Sequence, residues 1–442
     1  MASKYTTEVV LEAASAPDKD TMISDDNATV SPPSTIGGRG ALYVGIASAF
    51  SAAVGYVVML LATGLGSETS QFLAFWSFLF TCFGILSGIS VETTRSVTNA
   101  VREGFAPGPR LVWLAVGFAG VLGTLMALTA PLWRDRAFES DAQVLGWLAC
   151  AGVVGYAVHS VLVGSLGGRA WWATYSGTIA AESGVRLALV VTVVIIGSTM
   201  VGLAAASALA AFTWVVVVVV SRRARAALAS RADVPTTVLL PRMLASIAAQ
   251  GSSAVLVVGF PFLLSLTTEA TVYAAGAPLL LAISFTRAPL LIPLNAYQGV
   301  AVAHFVNNRD RGLRALLPIL RLIGLIGAVG AALAWLVGPW LMVLLTGKES
   351  YRVDGWILAA LTVGAALLAI LTLTGALCQA LALHRWFVGG WLLATGVAVA
   401  LLLVPGPLAV RAVVALVGGP LLGILVHLSR LARPVIVQED AR

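Results

Sequence analysis

The chain has 442 residues, of which 59% are hydrophobic and only 11% are charged. Water-soluble domains carry roughly 25% charged residues, so this composition excludes an ordinary soluble enzyme. Twelve membrane-spanning helices of about 20 residues each would need about 240 residues, which the apolar fraction can supply. The composition therefore predicts a polytopic membrane protein with a formal net charge of +7.

The three cysteines, Cys82, Cys150 and Cys378, all fall within long apolar runs. They offer neither a disulfide framework nor the Cys and His spacing of a metal site. We expect no metal, no cofactor, no catalytic residue and no nucleic-acid partner.

The first 40 residues contain six acids among Ser, Thr and Pro, and they lack the apolar core of a signal peptide. We predict a disordered cytoplasmic tail over 1–40. Twelve apolar runs follow, at 42–64, 71–92, 111–132, 144–166, 175–197, 200–220, 243–266, 273–300, 316–345, 356–383, 386–404 and 409–429. Their length favours helices over barrel strands, so the predicted fold class is all-α with about twelve transmembrane helices.

The distribution of arginine predicts the orientation, because loops rich in Lys and Arg stay in the cytoplasm. Alternate loops hold most of the arginines, and these include the loops around Arg95, Arg110, Arg169 and Arg309. Both termini, including the tail at 431–442, are therefore expected in the cytoplasm. The loops on the other side are too short for a catalytic domain, which argues against an enzyme.

The longest basic connection, 221–242, divides the spans into six and six. We predict an N-terminal lobe at 41–220, this linker, and a C-terminal lobe at 243–430, with a central cavity between the lobes. The linker is either an ordinary basic loop or an interfacial helix that tethers two moving bundles. Each half opens with a polar hairpin, around Glu68 and Glu269, an internal echo that is typical of transporters.

Arg287 lies near the middle of the eighth run, where a charge is costly and marks a candidate site. Pro278, Pro289 and Pro293 in the same run predict a kinked helix that faces protein or a wet cavity. Arg287 either caps carbonyls freed at a kink or contacts an anionic ligand. Asn295 and Gln298 extend the polar stripe and join it as candidate substrate-binding residues.

Glu182 and Arg186 are spaced i, i+4 on the fifth run, in the orientation that favours a helical ion pair. They either neutralise each other, or Arg186 joins the substrate site while Glu182 acts in proton coupling. Glu92 and Arg95, at the cytoplasmic end of the second run, form a candidate gating pair or an interfacial anchor. Arg321 lies close enough to a helix end to reach water, so we leave it out of the site.

The intramembrane charges are Arg186, Arg287 and Arg321 against Glu182, and no carboxylate precedes Glu92 in the first two spans. A cation carrier would need a desolvated acid in the bundle, so the predicted cavity is electropositive. Such a pocket suits a phosphate or diphosphate head, whose oxygens match the arginine fork.

Three segments resemble the polysaccharide transporter family of the multidrug, oligosaccharidyl-lipid and polysaccharide exporter superfamily. They are LATGLGSETSQFLAFWS from Leu61, GILSGISVETTR ending at Arg95, and YAAGAPLLLAISFTRAPLLIPL from Tyr273. The resemblance implies two six-helix bundles that rock about a central cavity in the bacterial cytoplasmic membrane. It implies a non-ATPase flippase that exports an anionic glycan on a polyprenyl diphosphate, with membrane lipids and envelope glycosyltransferases as partners.

Two other functions stay open at this point. A multidrug antiporter of the same superfamily would export cations, and the absence of early carboxylates argues against it. An integral-membrane glycosyltransferase or polymerase acting on polyprenyl-linked sugars would present acids in a sizeable outer loop. The only acid in the first hairpin is Glu68.

Overall fold

The computed structural model describes residues 38–138, 140–290, 314, 316–381 and 383–432. These residues form sixteen α-helices and no β-strand beyond one isolated bridge between Arg110 and Arg231. The helices are α1 Gly38–Ala62, α2 Thr69–Glu103, α3 Leu111–Ala137, α4 Ala142–Gly168, α5 Trp172–Gly197, α6 Met200–Leu209, α7 Thr213–Val220, α8 Arg222–Leu228, α9 Thr236–Val257, α10 Phe260–Thr267, α11 Ala270–Ala274, α12 Ala277–Leu290, α13 Leu317–Thr346, α14 Gly355–Ala380, α15 His384–Leu402 and α16 Leu408–Leu431.

Over the residues that the structure describes, each predicted span coincides with one helix or with a broken series of helices. By length and composition, nine helices of the described ranges can cross a membrane, or ten if the bent pair α9 and α10 is one span. One of the nine is the stretch Arg39–Glu103, which contains the first two predicted spans. The eighth span, predicted at 273–300, is described only as far as Leu290. The prediction of an all-α, multi-pass membrane protein is confirmed.

The two halves bury their helices in the same order. The most apolar 18-residue windows of α4 and α14, the fourth span of each half, are 78% and 72% buried. Those of α3 and α13, the third span of each half, are only 17% buried. This shared burial pattern supports the internal repeat that the two hairpins suggest.

The peripheral helices turn large apolar side chains outward. Leu132 on α3 is 73% exposed and Leu336 on α13 is 77% exposed. Extended apolar surface of this kind is rare on soluble monomers and is the surface that lipid covers.

The seventh span is broken near its middle, where α9 and α10 meet at 67°. Pro261 has no backbone N–H, so it cannot donate to the carbonyl of Val257 four residues earlier. The Ser77 hydroxyl, from α2, is inserted one residue later: it donates to the Val258 carbonyl at 2.7 Å and accepts from the Phe262 amide at 3.2 Å. The span predicted at 243–266 is therefore a broken one, and its helix begins earlier than predicted, at Thr236.

Hydrogen bonds also join the two halves at the end predicted to lie outside the cell. Ser70 on α2 donates to the carbonyl of Ala274 at 2.6 Å, and the Lys348 ammonium donates to the carbonyl of Thr63 at 2.5 Å. These contacts hold the outer ends of the two halves together beside the cavities described next.

Candidate functional site

A cavity of about 470 Å³ lies between α1, α2, the broken seventh span and α12. We call it the Arg287 chamber. Its wall is made of aromatic and aliphatic side chains with hydroxyls of serine and tyrosine among them. The lining residues are Ser48, Ser51, Ala52, Gly55, Tyr56, Met59, Leu73, Trp76, Ser77, Phe80, Ile179, Val257, Val258, Pro261, Leu280, Ser284 and Arg287.

Arg287 is 7% exposed and points toward the break in the seventh span. Its Nη1 donates to the carbonyl of Val257 at 2.7 Å, the group that Pro261 leaves without a helical donor. Its guanidinium carbon lies 5.6 Å from the centre of the Phe260 ring, within the range of a cation–π contact. Nη2 is buried and has no hydrogen-bond partner among the described residues.

Two interpretations of Arg287 were open: a cap on a carbonyl freed at a kink, or a contact to an anionic ligand. The geometry is compatible with both. The arginine does cap a freed carbonyl, although the kink belongs to the seventh span and not to its own. One terminal nitrogen of the guanidinium is left without a partner, and the lining that the described residues provide contains no Asp or Glu. A buried guanidinium with a spare N–H group can donate a hydrogen bond to an oxyanion.

Arg186 lies in a second cavity, of about 370 Å³, formed by α1, α2, α4 and α5. We call it the Arg186 chamber. The guanidinium forms the predicted ion pair with the carboxylate of Glu182, and both side chains are less than a tenth exposed. The guanidinium carbon also lies 4.7 Å from the centre of the Phe80 ring. Tyr156 and His159 form part of the same wall, with their ring centres 5.3 Å apart.

The two chambers are neighbours, because Ser51, Phe80 and Ile179 line both of them. The structure therefore places Arg186 and Arg287 along one cavity system. It gives them different partners: Arg186 has a carboxylate, and Arg287 has a neutral carbonyl.

The predicted gating pair, Glu92 and Arg95, is formed and is larger than expected. The Arg95 guanidinium contacts the Glu92 carboxylate at 2.6 Å and the Asp233 carboxylate of the linker at 3.1 Å. Ser96 and Asn99 also donate to Asp233, at 2.7 and 3.1 Å. The pair thus anchors the linker to α2 of the N-terminal half.

The ionisation of Asp233 follows from these contacts. Burial alone would raise the pKa of its carboxyl group, but hydrogen bonds from Ser96, Asn99 and Arg95 and the charge of Arg95 outweigh it. The net effect lowers the pKa of Asp233 below its ordinary value of 3.8.

The other predicted residues fall into two groups. Asn295 and Gln298 lie outside the described residues, so their predicted substrate contacts remain predictions. Arg321 is exposed on α13, as its exclusion from the site required.

Sequence reasoning missed the residues that build the wall around Arg287. The pair Gly259 and Pro261 inside an apolar run signals a break, and it could have located the freed carbonyl of Val257. Ser77 gave no signal, because its role depends on packing between helices that are far apart in the chain. Gln250 and Gln379 are amides within predicted spans, and they line a third cavity that is discussed below.

No sequence model of a protein family matches this chain. Relatives do exist among mycobacterial proteins. The uncharacterized protein Rv1510 of Mycobacterium tuberculosis is 37% identical over 422 residues, covering 94% of this chain and 97% of that protein. The uncharacterized protein Rv3630 of the same species is 38% identical over 395 residues, covering 88% and 91%.

Solved structures of similar fold are transporters. An inward-facing multidrug resistance MATE family transporter of the MOP superfamily has a TM-score of 0.68 at 17% identity, covering 89% of this chain and 98% of that one. An outward-facing structure of such a transporter has a TM-score of 0.65, covering 90% and 97%.

A third neighbour is a MOP superfamily transporter from Pyrococcus furiosus, for which reverse polarity of the binding pocket has suggested a different function. It has a TM-score of 0.63 at 17% identity and covers 90% of this chain and 97% of that one. The chain therefore belongs to the family of the mycobacterial proteins Rv1510 and Rv3630, and it has the fold of MATE transporters of the MOP superfamily.

Proposed function

We propose that this protein is a flippase that exports an anionic, lipid-linked glycan across the bacterial cytoplasmic membrane by alternating access. The observation that carries the proposal is the spare guanidinium nitrogen of Arg287 in a chamber to which the described part of the chain contributes no carboxylate. Arginine forks match phosphate oxygens, and the attraction is strongest where water is excluded. The fitting head group is a phosphate or diphosphate.

The lipid part of such a cargo has an apolar path beside the chamber. A groove of about 400 Å³ lies between α12, α13 and α14, and its wall is almost wholly aliphatic. Phe285 and Thr286 line the groove, while Ser284 and Arg287 of the same helix line the chamber. A polyprenyl chain can therefore stay in an apolar environment while its head group reaches Arg287.

No nucleotide is required for export of such a cargo. A negative potential inside the cell favours outward movement of an anion by about 2.3 kcal/mol per charge per 100 mV. In this proposal both termini are cytoplasmic, and enzymes that attach sugars to a polyprenyl diphosphate supply the cargo. In this proposal Glu182 compensates the charge of Arg186, and the anchor of Glu92 and Arg95 on the linker serves gating.

The test is flipping of a fluorescent polyprenyl-diphosphate N-acetylhexosamine in proteoliposomes. We expect Arg287→Ala to slow flipping about ten- to hundredfold, since a hydrogen bond to a charged group contributes about 1.5–3 kcal/mol. Arg287→Lys should be intermediate, because it keeps the charge but loses the fork. The control is Arg321→Ala, which removes an exposed arginine from α13. This variant should flip the lipid at the wild-type rate.

Two results would refute the proposal. One is flipping by a folded Arg287→Ala variant at the wild-type rate. The other is export of an organic cation such as ethidium, driven by a proton or sodium gradient and unaffected by the lipid. That second result would favour the multidrug function of the MATE transporters whose fold this chain shares.

A further inference from the structure

A third cavity, of about 460 Å³, lies between the two halves and differs in chemistry from the chambers of Arg287 and Arg186. We call it the glutamine chamber. Its polar side chains come from α2, α9 and α14, and α15 closes it with aromatic rings. The lining residues are Gly84, Ser87, Gln250, Ser253, Ala254, Val257, Val258, Thr372, Ala376, Gln379, Phe387 and Trp391.

Among the described residues, the lining is polar but has no charged or titratable side chain. Gln250 is half-buried on α9, and Gln379 lies at the rim, where α14 ends. Neither amide has a side-chain hydrogen bond to any described residue, and the side chain of Gln379 is exposed. The two amides are therefore free to bind a ligand.

The hydroxyl groups complete this pattern. Ser87, Ser253 and Thr372 donate to carbonyls of their own helices, at 2.6, 3.0 and 2.8 Å. Their oxygen lone pairs remain available as acceptors. The chamber thus offers donors and acceptors without charge, which suits hydroxyl and acetamido groups and disfavours a free anion or cation.

The glutamine chamber adjoins the Arg287 chamber at the break in the seventh span. Val257 and Val258 line both cavities, and the Val257 carbonyl is the acceptor of Arg287. A ligand with its anionic group on Arg287 therefore has its next few atoms at the entrance to the glutamine chamber.

We propose that Gln250 and Gln379 form a subsite for an uncharged sugar of the cargo, next to the diphosphate subsite at Arg287. This inference rests on the proposed function and adds to it a cargo whose sugar nearest the diphosphate is neutral. Phe387 and Trp391 supply the apolar face against which the ring of such a sugar packs. The subsite makes the protein select between glycosylated and bare lipid.

The test compares two probes on the full-length protein in nanodiscs, by native mass spectrometry or by a titration. The first probe is a bare polyprenyl diphosphate. The second is the same lipid with one neutral sugar attached, either a hexose or an N-acetylhexosamine. We expect the wild-type protein to bind at least one glycosylated lipid about tenfold more tightly than the bare lipid. Gln250→Leu with Gln379→Leu should abolish this preference and leave the affinity for the bare lipid unchanged.

The control is Gln71→Leu, which replaces a glutamine that donates to the Ser140 carbonyl far from the chamber. It should keep the wild-type preference. If the double variant does not fold, Gln379→Leu alone carries the test, because its side chain lies at an exposed rim.

The outcomes separate the two proposals. Equal binding of bare and glycosylated lipids by the wild type, or an unchanged preference in the glutamine variants, would overturn the sugar subsite and leave the flippase proposal standing. Binding of both lipids that is insensitive to Arg287→Ala would overturn the flippase proposal, and the sugar subsite with it.

Discussion

The chambers of Arg186 and Arg287 place the same side chain in similar surroundings and give it opposite electrostatic roles. Both arginines are nearly inaccessible, and both guanidinium groups lie over an aromatic ring. Arg186 is neutralised by Glu182 one helical turn away, whereas the hydrogen-bond partner of Arg287 among the described residues is the neutral carbonyl of Val257. A buried arginine therefore marks an anion site only where its neighbours leave its charge uncompensated.

The largest expected effect tests whether Glu182 compensates Arg186. Glu182→Ala leaves a buried cation without its partner, and such losses cost about 3–5 kcal/mol of unfolding free energy. Thermal unfolding of the purified protein in detergent measures the loss as a lowered midpoint.

The matched control is the double variant Glu182→Ala with Arg186→Met, which removes the charge as well as its partner. It should recover much of the lost stability, because replacing both members of a buried pair by apolar groups is often neutral. A double variant as unstable as Glu182→Ala would show that Arg186 is held by something other than its ion pair.

A smaller effect is expected at the wall of the Arg287 chamber. Ser77→Ala removes the hydroxyl that joins the Val258 carbonyl to the Phe262 amide, so it leaves two partly buried backbone groups without this partner. We expect a loss of about 1–3 kcal/mol in unfolding free energy, measured by thermal unfolding.

Ser87→Ala is the control for this change, since the Ser87 hydroxyl bonds only to a carbonyl of its own helix. It should alter stability by much less than Ser77→Ala. A loss for Ser77→Ala as small as that for Ser87→Ala would mean that the break in the seventh span does not depend on the Ser77 hydroxyl of α2.

The contrast between the two arginines also shows what sequence can and cannot provide. The spans were predictable, because bilayer thickness imposes a run of about 20 apolar residues on each helix. The pair of Glu182 and Arg186 was predictable too, because an i, i+4 spacing on a helix fixes the distance between two side chains. These are local properties of the chain.

The partner of Arg287 was not predictable, because the Val257 carbonyl lies 30 residues away in the chain and on another helix. The prolines of its own span suggested a kink there, yet the carbonyl it caps is freed by Pro261 on a different span. Asp233 was missed for the same reason: a lone acid in a basic linker carries no sign of the distant Arg95 that it binds. Contacts between remote segments follow from packing, which hydropathy does not encode.

Arg95 allows the same comparison outside the predicted bilayer. There we expect the smallest effect on the unfolding free energy. Arg95 is paired like Arg186, with Glu92 and Asp233, but its side chain is 34% exposed and water screens the pair. Removing one partner should therefore cost about 1 kcal/mol or less, far below the cost at Glu182. The change that tests this is Asp233→Asn, which keeps the shape of the side chain.

The dependence on pH gives this prediction its sign. The pKa of Asp233 is lower in the folded protein than its ordinary value of 3.8, so the folded state favours the carboxylate. Its contribution is fully present above pH 3.8 and is lost as the pH falls through the folded pKa. Wild type should be more stable than Asp233→Asn at pH 7, and the gap between their unfolding midpoints should narrow below about pH 4. If the difference between the two unfolding midpoints does not change with pH, Asp233 holds the linker by its shape and not by its charge. The contrast between paired and unpaired arginines would then apply only inside the membrane.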